Sequence, residues 1–252
     1  MYYWNKDNFE GLLELAHELR KTPELGRLAE YCVLREKGLR SQALARLNDF
    51  LAEAALWDTG LARRNVLTIL EAGARTSEAH PFMAHPLLAR LIYPTLDQWM
   101  VDEPSAVEPL RWFGLLQSDA DALRRALSLS PDDIPVRRRL IHFAIDYADF
   151  ATHHLSESVL LSSVEEVRAA IATARQYIAS APDIKPFAGL SVEANEYEQM
   201  VDDWEAYNQS PTGTFPQWCK TKGRAYSWPA VIYYDDDAVQ QHATTDTTEQ
   251  RD

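Results

Sequence analysis

IPVRRRLIHFAIDYADFATHHL, residues 134–155, is the most apolar helical stretch in the chain. At 3.6 residues per turn Val136, Leu140, Phe143, Ala144, Tyr147 and Ala151 stack on one side, and Ile141, Ile145 and Ala148 widen it. The apolar arc then covers roughly 200° of the helix surface, which requires neighbours on at least two sides. What remains is a narrow polar stripe of Arg138, His142, Asp146, Asp149 and His153, spaced as one helical face. The stretch predicts a central helix with one open edge, inside a protein made of helices.

The flanking sequence repeats the helical pattern. Asp7 with Glu10 has the spacing of a capping box and starts a helix of about residues 8–21. Thr22-Pro23 starts a second, which Gly38 stops. A third carries Leu39, Ala43, Leu47, Phe50 and Leu51, and a fourth Val66, Ile69 and Leu70. The prolines of His80-Pro81 and His85-Pro86 break the pattern, and Pro94 interrupts or kinks the helix that follows. Glu108 to Leu129 splits into two helices at Gln117-Ser118, with Ser118 as the N-cap of the second. After the central helix, Ser163 with Glu166 makes another capping box, Ala181-Pro182-Asp183 ends that helix, and Ser191 caps a last one. Joins this short make sequential helices antiparallel neighbours. The expected fold class is therefore all-α, an array of antiparallel helical hairpins over residues 1–208.

From residue 209 the character changes. Phe215, Trp218, Tyr226, Trp228, Val231, Ile232, Tyr233 and Tyr234 stand among Pro, Gly, Lys and Arg with no helical period. This predicts an irregular aromatic strap, 209–234, packed across the helices. Residues 235–252 have little apolar content to offset ordering entropy and are expected to be a disordered acidic tail.

The segment ALRRALSLSPDDIPVRRRL, residues 122–140, resembles the second helix of a tetratricopeptide repeat followed by the start of the next unit. Leu123 and Ala126 stand where that helix packs, Pro131 matches the proline that closes a repeat, and Trp112 and Gly114 are loose counterparts in the first helix. One repeat-like unit is covered, with no clean recurrence of about 34 residues elsewhere. The resemblance implies an α-solenoid-like helical array that binds peptides or proteins on a concave face.

Charge bounds the function. The 252 residues carry a net charge of -13, with a pI near 5.0. Such a surface repels phosphate backbones and anionic membranes, so neither nucleic acid nor membrane is an expected partner, and a basic protein is. There is no apolar run of about 18 residues and no basic-then-apolar leader at the N-terminus, so a cytoplasmic location is expected. Cys32 and Cys219 are isolated and read as reduced thiols.

Motifs for catalysis are missing: no nucleophile elbow, phosphate-cradling glycine loop or zinc-type cysteine cluster occurs. His142, Asp146, Asp149 and His153 have the residue types of a metal site, and a metal-dependent helical-bundle enzyme is the alternative they suggest. Their span is against it, since residues eleven apart lie about 16 Å apart along a helix. No cofactor is expected. The last helix stands out more, because no basic residue occurs between Lys185 and Lys220 while Glu193, Glu196, Glu198, Asp202, Asp203 and Glu205 gather around Tyr197, Trp204 and Tyr207. Glu193, Glu196, Tyr197, Asp202, Asp203, Trp204 and Glu205, with Trp218 from the strap, are the candidate protein-binding residues. The functional expectation is a non-enzymatic binding module, most concretely an acidic immunity or antitoxin protein that neutralises a basic toxin. A tetratricopeptide-like scaffold or secretion-accessory protein is its near alternative.

Overall fold

A computed structural model describes residues 7–77, 79 and 82–228, with side chains from residue 11 onward. The expectations for the Asp7/Glu10 cap, for His80-Pro81, for Val231 to Tyr234 and for the tail lie outside the described side chains. Among the described residues the regular structure is all helical, and no helix is long and apolar enough to cross a membrane.

The chain groups into two units. The first comprises residues 1–140 and 179–186, the second 141–178 and 187–252, so the boundary falls inside the central helix.

In the first unit, α1 (Asp7–Leu19) and α2 (Gly26–Glu36) are joined through a 3₁₀ turn, Pro23–Leu25. Thr22 precedes that turn in extended conformation but makes no side-chain cap. α2 packs against α1 and against α3 (Arg40–Ala54), and α4 (Thr59–Arg75) starts at Asp58, whose carboxylate accepts from the Leu61 N–H at 2.8 Å. Leu12, Leu15, Leu19, Leu28, Tyr31 and Phe50 are fully buried where these helices meet. Each such side chain contributes about 1.5–3 kcal/mol by leaving water, which holds the unit together far more than helix propensity does.

Pro94 neither ends nor sharply breaks its helix. α5 (His85–Leu87) continues into a π turn, Leu88–Ile92, and then α6 (Tyr93–Asp102). The π turn sends the Tyr93 N–H back to the Leu88 carbonyl, and this widened coil accommodates a ring that a regular turn would clash with.

α7 (Val107–Gln117) and α8 (Ala120–Leu129) are separated by Ser118 in the left-handed region, φ 56°. Ser118 therefore terminates α7, and Asp119 is the N-cap of α8, accepting from the Ala122 N–H at 2.9 Å. The expected cap was one residue early, because Ser118 sits in the left-handed region that closes a helix, whereas Asp119 has the extended backbone typical of an N-cap. Gly114 lets the two helices meet: a Cβ there would lie 2.6 Å from Leu123 Cγ.

The central helix, α9, runs Ile134–Thr152. Val136, Leu140, Ile141, Ala144, Ile145, Ala148 and Ala151 are buried as the periodicity requires, but Tyr147 and Phe150 are exposed. Tyr147 lies at the rim, where its hydroxyl meets Ser162 Oγ at 2.8 Å. Of the arginines at the helix start, Arg138 is exposed on the polar stripe as expected, and Arg137 is drawn inside. Arg137 is only 3% exposed and donates to Ser180 Oγ and the Pro131 carbonyl at 2.8 and 2.7 Å. Arg138 donates to the Pro186 carbonyl at 2.9 Å, which fixes 179–186 to the first unit.

The second unit contains the rest of α9 with α10 (Val164–Ala179), α11 (Ala188–Gln209) and α12 (Phe215–Thr221). The Ser163/Glu166 capping box forms as read: Ser163 Oγ accepts from the Glu166 N–H, and the Glu166 carboxylate accepts from the Ser163 N–H, both at 3.2 Å. α11 begins three residues before Ser191, which sits inside the first turn and caps nothing. The expected strap contains a helix, because Thr214 and Gln217 form a reciprocal capping box with Pro216 in the first turn. That signal was legible but masked by the surrounding aromatics.

Candidate docking groove

α11 presents its candidate residues in three different settings. Leu190, Ala194, Val201, Trp204 and Tyr207 make the buried seam. Trp204 packs edge-on against Phe215 at 5.2 Å, Phe215 stacks on Trp218 at 6.2 Å, and Lys222 covers the Trp218 ring. Both tryptophans are therefore core residues of the second unit, where sequence reading had placed docking anchors. Aromatic side chains carry large apolar areas, and here they are used inside.

The second setting is neutralised acid. Arg168 of α10 donates to Asp202 and Glu205 at 2.6 and 2.5 Å, and Arg175 pairs with Glu198 while donating to Asn195 at 2.6 Å. Those partners lie a whole helix upstream, out of reach of a count along α11. Asp203 is buried, 6% exposed, and it anchors the C-terminal segment: Arg224 Nε donates to Oδ2 at 2.9 Å, and the Tyr226 hydroxyl donates to the same oxygen. Burial, then the hydrogen bond and charge of Asp203, hold the Tyr226 phenol well above its ordinary range. Asp203 is thus a structural anchor and Asp202 an ion-pair partner, and neither is a free docking carboxylate.

The third setting is a groove. Glu193, Glu196, Tyr197 and Met200 follow the i, i+3, i+4, i+7 spacing of one α11 face, and Ala225, Tyr226 and Ser227 form the opposite wall around a volume of about 470 Å³. Among the described residues no ion pair or hydrogen bond engages the Glu193 or Glu196 carboxylate. Tyr197 donates its hydroxyl proton to Asp149 at 2.8 Å. Burial pushes the phenol upward, helped by the Asp149 hydrogen bond and by the charges of Asp149, Glu193 and Asp146. These causes place three carboxylates, Asp149, Glu193 and Asp146, near one half-buried ring. Two tyrosine rings, a thioether and unneutralised glutamates form a surrounding that favours a cationic side chain, through charge, ring faces and polarizable contact together.

The stripe on α9 gathers differently from the metal reading. Asp149 is committed to Tyr197, His153 packs edge-on with His154 at 5.3 Å, and among the described residues no three His, Cys, Asp or Glu side chains converge to hold an ion. Asp146 and Asp149 instead add to the potential around the groove.

Comparison with protein-family models, curated proteins and solved structures finds no match for this chain.

Proposed function

We propose that this chain is a non-enzymatic protein-binding module whose partner is a basic protein, its concrete form being a cytoplasmic immunity or antitoxin protein that neutralises a cationic toxin. One observation carries the reading: Arg168 and Arg175 neutralise the carboxylates farther along α11, while Glu193 and Glu196 are left open beside Tyr197, Met200 and Tyr226. A lysine or arginine from the partner would enter between the two walls. The net charge of -13 would speed its approach, and the desolvated rings would hold it.

The tetratricopeptide-like alternative, an array of antiparallel hairpins acting as a scaffold, is supported by the packing of α1 on α2, α2 on α3 and α7 on α8. It is also favoured by the close approach of Gly114, a loose counterpart of a first-helix position, to Leu123 in the segment that resembles a repeat. The two readings differ in what holds the partner. Capture from the native host at low salt, repeated at high salt, separates them: neutralisation recovers one small basic protein that salt releases, whereas a salt-insensitive peptide complex favours the scaffold.

A further inference from the structure

A second cavity, of about 250 Å³ in the first unit, has the opposite chemistry. Ala54, Trp57, Ala62, Leu91 and Pro94 supply the apolar part of the lining, Thr59, Thr95 and Gln98 a neutral polar part, and Arg63 and Arg90 its cations, with no carboxylate among the lining residues. In a chain of net charge -13 a cavity lined by two arginines and no carboxylate is a local exception. The two arginines are not equivalent. Arg63 is spent on Asp102 and Glu103, at 2.5 and 2.6 Å, and its guanidinium lies over Trp99. Arg90 donates to a neutral acceptor, Asn48 Oδ1, at 2.9 Å, and among the described residues no carboxylate pairs with it. The π turn before Pro94 places Arg90, Leu91, Pro94 and Thr95 along one wall of the cavity, at a kind of local distortion that recurs where proteins bind ligands.

We infer that this cavity binds a small monocarboxylate with an apolar body, the carboxylate on Arg90 and the body against Trp57, Leu91 and Pro94. A single cation without a carboxylate partner, lining a small recess whose other walls are apolar or neutral, matches one negative charge attached to hydrocarbon. A dianion such as phosphate would leave one charge unpaired and the apolar lining unused. The site is independent of the groove on α11.

The test is calorimetric titration of the full chain with 3-phenylpropionate and with its neutral isostere 3-phenylpropionamide. Saturable one-to-one binding of the carboxylate is expected, with the amide and the R90Q variant each about tenfold weaker, the cost of a charge-assisted hydrogen bond. Arg90 is exposed, so R90Q retains the fold, which an unchanged thermal midpoint checks. A62L, which fills the half-buried wall without touching the charge, should abolish binding. No saturable binding of the carboxylate, equal binding of the amide, or wild-type affinity in R90Q overturns the assignment.

Discussion

Asp202 and Asp203 are neighbours in sequence, and their removal should have very unequal consequences. Asp203 is buried with Arg224 Nε at 2.9 Å and the Tyr226 hydroxyl on one oxygen, and Gln199 at 3.4 Å is marginal. In D203A the half-buried Tyr226 loses a bond to a charged acceptor, about 1.5–3 kcal/mol. The Arg224 pair is partly exposed and screened, so it adds under about 1 kcal/mol, and relief of the carboxylate's own desolvation subtracts part of the total. The net expectation is a loss of about 2–3 kcal/mol, or roughly 30- to 150-fold in the ratio of folded to unfolded chains. Asp202 is exposed and shares Arg168 with Glu205, so D202A should cost under about 0.5 kcal/mol. Urea unfolding followed by far-ultraviolet circular dichroism measures both, and hydrogen exchange at residues 224–228 reports whether the C-terminal wall of the groove opens first in D203A. Equal costs for the two variants would refute the assignment of Asp203 as an anchor.

Gly114→Ala should destabilise by about 1–2 kcal/mol, the overpacking against Leu123 exceeding the roughly 1 kcal/mol gained in helix propensity. Combining it with L123A should show a coupling energy above about 0.5 kcal/mol in chemical unfolding. Ser163→Ala removes the reciprocal cap of α10 and should lower stability by about 1 kcal/mol, read from the urea midpoint. Burial pushes the Cys32 thiol up to about 12 from an ordinary 9.0, and Cys219, buried and near Asp203, up to about 11. The unfolded chain then releases these protons first, so stability is full below about pH 9 and falls as pH rises toward 12. C32A should flatten that decline in unfolding free energies measured between pH 8 and pH 11.

Much of the helical order was legible because its causes are local. The apolar positions of α9, the Ser163/Glu166 cap and the prolines at helix starts all act within a few residues. Several of the misses share a physical reason: the deciding partner lies outside the element being read. Tyr147 fits the apolar stripe by spacing, but its hydroxyl finds Ser162 at the rim. The acidic run of α11 looked like one face, yet Arg168 and Arg175 from α10 neutralise part of it, and Arg224 and Tyr226 draw Asp203 inward. Of the candidate site, Glu193, Glu196 and Tyr197 come together at the groove. Met200 and Tyr226, its other walls, were missed as candidate residues, although the i+4 and i+7 spacing from Glu193 already marks Tyr197 and Met200 as one face.

The most direct test of the proposed docking is the affinity of the captured basic partner for the full chain and for the E193Q/E196Q variant, measured by calorimetry at low salt. Removing the two open carboxylates keeps the groove's shape and the Asp203 anchor. The account predicts at least about tenfold weaker binding by E193Q/E196Q, with a smaller loss on adding salt and an unchanged affinity in D202N. Wild-type affinity in E193Q/E196Q would contradict it and place the partner elsewhere on the molecule.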